Sequence, residues 1–146
     1  MVPQVGDVYR AVPPRGVNGD AAMVLVTGDF IGVATRAVTL LSPDVEFATP
    51  ADLLLPRAGS LRPYDLLVES DIFGYVWTDQ LDRRLGAVDD GLMNDLTAVR
   101  LDESTSRGPA GPPLLNRDDP RWAFKEAELA RLRVLTSDCA GYLIDG

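Results

Sequence analysis

The first eighty residues alternate between short apolar runs and turn residues, a pattern typical of antiparallel β-proteins. Residues 5–12 alternate apolar and polar positions, as a half-buried strand does. Residues 21–27 and 37–41 are continuous apolar runs, short enough for strands buried on both faces, and Gly28-Asp29 and Gly32 bound a turn or loop between them. Pro50 lacks an amide donor, so a strand over residues 48–55 belongs at a sheet edge. Further extended segments are predicted over residues 62–69 and 73–80.

The period changes to that of a helix near residue 90. Asp89 or Asp90 can cap a helix that runs to about Arg100, and Asp119 with Pro120 can begin a second one. Gly141 is expected to end the second helix, after which residues 142–144 add a last strand or dock as a tail. The fold class predicted is therefore mainly β with added helices, an SH3-like antiparallel β-barrel plus a C-terminal helix. Its parts are a barrel domain with a short helix over residues 1–102, a Pro/Gly-rich linker over residues 103–117, and a C-terminal helical extension over residues 118–146.

The charge balance constrains the partners. The chain has 22 acidic and 14 basic residues, for a net charge of −8, and each third of the sequence is acidic overall. Proteins that bind nucleic acid gain affinity by neutralising phosphates with Lys and Arg. The overall charge therefore opposes an RNA substrate and favours a basic protein partner, unless a local cationic cleft forms.

The counts of His and Cys limit which metal or cofactor sites the chain can form. The chain has no His and one cysteine, Cys139, and no carboxylate cluster has the spacing of a calcium loop, so neither a metal nor a cofactor is expected. A single thiol fits a reducing compartment, and no signal peptide or membrane-length apolar run is visible. These features predict a cytoplasmic protein. Gln80 is expected to satisfy backbone groups at a strand end.

The order of several short motifs resembles that of the MazF/PemK/Kid toxin family, over about residues 4–100. The chain opens with Gly6-Asp7-Val8-Tyr9, similar to the first strand entry of the family, and Gly28-Asp29 occupies the place of a family turn. The motifs that follow are Arg62-Pro63, where the family enters its later strands, then Trp77-Thr78-Asp79-Gln80-Leu81, which resembles a Gln-containing strand of the family, and Arg83-Arg84-Leu85-Gly86, which resembles the turn after that strand. The resemblance implies a CcdB-type barrel, a homodimer, and a possible antitoxin partner.

The resemblance also implies where the chemistry would lie. The family places an Arg-Pro pair before its second strand, where this chain has Asp20-Ala21-Ala22, so Arg15 in the same loop is the candidate for the catalytic Arg. Ser42 matches the catalytic Thr or Ser of the family. The candidates for binding RNA or a partner are Arg36, Arg57, Arg83 and Arg84.

Two functions follow. The first is a toxin–antitoxin-type, sequence-selective endoribonuclease acting on single-stranded RNA. The second is a catalytically impaired binding protein on the same fold, acting through a protein partner such as an antitoxin or a gyrase-type target. Whether the chain is an enzyme stays open, because the expected Arg is missing or displaced.

Overall fold

A computed structural model describes residues 2–29, 34–57, 62–103 and 110–145, with the backbone alone for residues 29 and 138–145. The strands are β1 (Asp7–Ala11), β2 (Ala22–Asp29), β3 (Thr35–Ser42), β4 (Asp52–Leu55), β5 (Leu66–Trp77) and β6 (Leu81–Ala87). The α-helices are α1 (Asp90–Arg100) and α2 (Pro120–Asp145), and short 3₁₀ turns cover Val45–Phe47 and Thr78–Gln80. The predicted turn at Gly32 lies outside the described residues.

The strands form one antiparallel sheet in the order β4-β5-β3-β2-β1-β6. Each neighbouring pair is antiparallel, and β4 and β6 are the ends of the series. Irregularities within β1–β6, β2–β3 and β3–β5 bend the sheet, as bulges do in small barrels. The predicted fold class, an antiparallel β-barrel with a C-terminal helix, is confirmed.

Each face of the sheet packs against one helix. On the α1 face, Leu92 and Leu96 join a buried cluster with Leu25, Leu41 and Val68. On the α2 face, the helix contributes Leu132 and Leu135 to a second cluster. The strand residues of that cluster are Tyr9, Ala11, Ala22, Val24, Val26, Val38, Leu40, Ile72, Val76 and Leu81. The C-terminal helix is therefore part of the core.

Two sequence predictions about β5 and β6 are wrong. Residues 62–69 and 73–80 were expected as separate segments, but β5 runs through the polar break between them. Thr39 pairs with Phe73 and Leu40 with Glu69, so residues 70–72 form a bulge without partners on β3. The basic motif at Arg83 and Arg84, expected as a turn, lies in β6, an edge strand whose charges suit that position.

Helix α1 begins and ends where the sequence predicts, with Asp89 as its N-cap, whereas α2 agrees with the sequence at its start only. Asp119 accepts a hydrogen bond from the backbone N–H of Arg121 at 3.1 Å, and α2 begins at Pro120, as predicted. The expected end at Gly141 is wrong, since the helix continues to Asp145 and residues 142–144 form no strand. A glycine inside a helix costs only about 1 kcal/mol, which neighbouring turns can offset.

Candidate functional site

A cleft beside β1 and β6 gathers cationic side chains from four separate segments. On β1, Arg10 pairs with Arg83 of β6 on one side and with Met23 of β2 on the other. Arg62 comes from the segment before β5, and Arg131 comes from α2. The cleft has a volume of about 370 Å³. Its described lining also includes Ala21, Ala22, Leu41, Pro43, Tyr64 and Leu85.

The cleft concentrates positive charge on an acidic protein. Four of the 14 basic residues line it, and no carboxylate belongs to its described lining. Arg10 and Arg83 lie opposite each other on neighbouring strands, an arrangement that is unfavourable for like charges. Arg10 is balanced by an exposed ion pair with Asp82 at 2.7 Å. Arg83, held beside Arg10 over an apolar floor, suits an anionic ligand.

The structure separates the residues that the sequence predicts as catalytic. Ser42 is fully buried at the end of β3, where its hydroxyl accepts a hydrogen bond from the N–H of Asp44 at 3.1 Å. Arg15 lines another cavity, of about 520 Å³, with Trp77, Asp79 and Gln80. The cationic cleft has Pro43, next to Ser42, in its wall but not Arg15. The catalytic roles of both residues stay predictions.

The four arginines predicted to bind RNA or a partner are also dispersed. Arg83 lies in the cationic cleft, whereas Arg84 forms an ion pair with buried Asp7 at 3.2 Å. Arg36 is buried and donates to the carbonyls of Thr35 and Pro3. Arg57 is exposed beyond β4, with its backbone N–H bonded to Asp65. Their binding roles likewise stay predictions.

Sequence reasoning missed Arg10, Arg62, Tyr64 and Arg131 as members of a site. Arg10 did carry a signal, because it is the polar position in the alternating pattern of the first strand. Arg62 was noted only as a strand entry. Arg131 carried no signal, since nothing in the helix sequence indicates which strand loop the helix will meet.

A second cluster of charges, buried except for Asp71, lies between α2 and the sheet. The ammonium of Lys125 is 2.5 Å from Asp52, 3.0 Å from Asp71 and 3.4 Å from Glu69. Burial alone would lower the pKa of Lys125, but the surrounding carboxylates reverse this and raise it. The three carboxylates belong to β4 and β5, so the cluster fastens the helix to one edge of the sheet.

Glu69 and Glu128 form a buried pair within this cluster. Burial, together with a hydrogen bond and charge repulsion from Glu128, raises the pKa of Glu69 to about 9, although Lys125 opposes the shift. One carboxyl oxygen of each residue has no other hydrogen-bond partner. A proton on Glu69 lets one carboxyl donate to the other, which favours the neutral form of Glu69.

Side-chain hydrogen bonds attach α2 to neighbouring segments near both ends of its contact with the sheet. The guanidinium of Arg121 donates to the carbonyls of Ala48, Pro112 and Pro113 at 2.5 to 2.9 Å. Near the other end, the side-chain amide of Gln80 donates to the carbonyl of Leu135 at 2.7 Å. Gln80 thus satisfies backbone groups, as predicted, but those of the added helix as well as of the strands.

Two structural absences concern only the residues described. Within the ranges that the structure covers, no group of three or more His, Cys, Asp or Glu side chains is arranged to hold a metal ion. None of the helices in those ranges combines the length and apolarity that crossing a bilayer requires.

Comparison with known proteins identifies the fold. The structure is similar to an endoribonuclease from a mycobacterial species solved in complex with its cognate antitoxin, with 22% identity and a TM-score of 0.50. The match covers 70% of this chain and 96% of that one. A second mycobacterial endoribonuclease matches at 20% identity and a TM-score of 0.51, over 68% of this chain and 88% of the other. The MazF-like fold expected from the sequence motifs is confirmed.

No family model matches the sequence, and no curated protein matches it. At about 20% identity, structural likeness establishes the architecture but not the activity. The share of this chain that the matches leave uncovered is about as long as the region after α1.

Proposed function

We propose that this protein is a toxin-type RNA-binding protein that holds single-stranded RNA in the cationic cleft. The observation that carries the proposal is the convergence of Arg10, Arg62, Arg83 and Arg131 on an acidic chain. Arginine forks suit phosphate oxygens, and Tyr64 in the same wall offers a face on which a base can stack. The fold shared with two endoribonucleases agrees with RNA as the ligand.

The described lining of the cleft is better suited to binding than to fast cleavage. Cleavage through the ribose 2′-hydroxyl needs a base, an acid and a cation near the phosphorane. Arginines supply the cation, but they stay protonated and cannot act as the base. The chain has no His. Cleavage by this chain is therefore proposed to be slow, with Ser42 and Arg15 retained as the candidate catalytic groups.

Binding can be tested with a labelled single-stranded oligoribonucleotide and fluorescence anisotropy. We expect Arg83→Ala to weaken binding and to reduce the slope of log K against log salt by about 0.7, as loss of one phosphate contact does. Arg117→Ala is the matched control, because it removes the same charge from an exposed position outside the cleft. Equal binding by Arg83→Ala and the unaltered protein would contradict the proposal.

Cleavage is a separate measurement on a long RNA at high protein concentration. Because the hydroxyl of Ser42 is buried, we expect Ser42→Ala to leave RNA affinity unchanged. Loss of cleavage in Ser42→Ala or Arg15→Ala would support the predicted catalytic roles. If the unaltered protein cleaves RNA no faster than both variants do, the endoribonuclease hypothesis is wrong. The proposal that the protein binds RNA would not be affected by that result.

A second candidate is a protein partner with an acidic, amphipathic segment, such as an antitoxin. The specific observation is the apolar floor of the cleft, where Met23, Leu41 and Leu85 lie between the arginines. One of the similar endoribonucleases was solved with its cognate antitoxin. Competition between such a peptide and RNA for the cleft would support this candidate. The proposed site of action is the cytoplasm, and the proposed state is a homodimer, which light scattering can test.

A further inference from the structure

The cationic cleft takes one of its walls from the C-terminal helix. Arg131 contributes that wall, and its side chain is 42% exposed, so it is accessible to a ligand. The other cationic members lie on β1, on β6 and in the segment before β5. We propose that α2 completes the RNA site by placing Arg131 against the bound backbone, an inference that rests on the proposed function.

The position of Arg131 is fixed from both sides along the helix. One and a half turns before it, Lys125 is held in the buried cluster with Asp52 and Glu69. One turn after it, the carbonyl of Leu135 accepts the hydrogen bond from Gln80. Glu128, one turn earlier and almost fully buried, contacts the guanidinium at 3.0 Å. A side chain anchored in this way loses little conformational entropy when a ligand binds.

Arg131 also lines a cavity that contains an acidic residue beside the cleft. It lines a neighbouring cavity of about 260 Å³ with Gly19, Asp20 and Val134, so the two cavities meet at its side chain. Asp20 would repel a phosphate approaching from that side. The guanidinium of Arg131 lines both cavities and offsets part of this repulsion, while it also pairs with Glu128. The helix therefore supplies a cation where the loop before β2 carries an acid.

The experiment compares two exposed arginines of the same helix in the full chain. We expect Arg131→Ala to weaken binding of a labelled single-stranded oligoribonucleotide about tenfold and to lower the salt slope by about 0.7. Arg133→Ala removes the same charge from the same helix outside the cleft, and we expect it to change affinity less than twofold. If the unaltered protein binds RNA but the two variants weaken binding equally, the proposed role of Arg131 is wrong. The proposed RNA-binding function would still stand.

A further variant separates charge from helix placement. Glu128→Gln removes the carboxylate that contacts Arg131 but leaves the guanidinium in place. We expect its RNA affinity to stay within twofold of the unaltered protein. A loss as large as that of Arg131→Ala would show that helix position, not the cation, sets the affinity, and would overturn the inference. Failure of the unaltered protein to bind RNA would overturn the proposed function and this inference together.

Discussion

At the scale of single residues, Gly111 shows how closely the linker passes the 3₁₀ turn that precedes β4. A Cβ atom added there would lie 2.1 Å from the carbonyl oxygen of Ala48, a backbone atom that cannot move aside on its own. The same carbonyl accepts a hydrogen bond from Arg121. Since Arg121 also bonds the carbonyls of Pro112 and Pro113, several contacts join the described half of the linker to the rest of the protein.

We expect Gly111→Ala to lower the free energy of unfolding by about 1 to 3 kcal/mol, the range for overpacking a close contact. Urea denaturation followed by fluorescence of Trp77 and Trp122 would measure it. Gly28→Ala is the matched control, because its added Cβ meets only the Cβ of Ala37 at an ordinary 3.9 Å. Equal stability of the two variants would show that the linker backbone can shift to accommodate the added Cβ atom.

At the scale of elements, the attachment of α2 depends on a cation inside the protein. Lys125→Met keeps most of the aliphatic volume but leaves the buried carboxylate of Asp52 without its ammonium partner. Removing one partner from a buried ion pair typically costs about 3 to 5 kcal/mol. We expect a loss of that order in urea denaturation. Adding Asp52→Asn to Lys125→Met should recover part of the loss, and no recovery would contradict the pairing.

The same cluster makes the stability of the protein depend on pH. The pKa of Glu69 is raised from 4.5 to about 9 in the folded protein, so folding takes up a proton between those values. Its contribution to stability is full below about pH 4.5 and is lost as the pH rises towards 9. Burial also raises the pKa of Asp52 against the opposing charge of Lys125, which acts in the same direction.

Glu69→Gln should therefore raise the free energy of unfolding at pH 8 by about 1 to 3 kcal/mol, since an amide needs no proton to bond with Glu128. Melting temperatures measured from pH 5 to pH 9 should fall less steeply in this variant than in the unaltered chain. Parallel curves would mean that Glu69 is ionised in the folded protein.

At the scale of the whole molecule, the barrel and its C-terminal helix share one core. Deleting residues 105–146 would uncover Tyr9, Val24, Val38, Leu40 and Val76 on the α2 face. We expect the shortened chain to aggregate or to bind a hydrophobic dye, because an apolar face of this extent does not remain exposed in a monomer. A soluble shortened chain with an unchanged melting temperature would instead show that the helix is dispensable for folding.

The fold was predictable because strand patterns and turn residues are local signals. The central strands follow from apolar runs, and the start of α2 follows from Asp119 and Pro120. The site was less predictable, because it depends on contacts between distant segments. Arg83 was selected from the sequence, but Arg10 faces it across two strands and Arg131 comes from a helix 48 residues later. No local pattern of apolar and polar residues predicts that residues 81–87 form strand β6, or that α2 packs on the sheet.

The hydrogen bond from Gln80 to the carbonyl of Leu135 has a consequence for biosynthesis. Translation delivers all six strands before α2, and at roughly 5–20 residues per second the helix follows a few seconds later. Until then the amide of Gln80 lacks this acceptor, one apolar face of the barrel is bare, and the cleft lacks Arg131. During this interval the nascent chain exposes apolar surface and has an incomplete RNA site. We therefore expect a chaperone or a neighbouring nascent chain to bind it most readily before α2 has been synthesised.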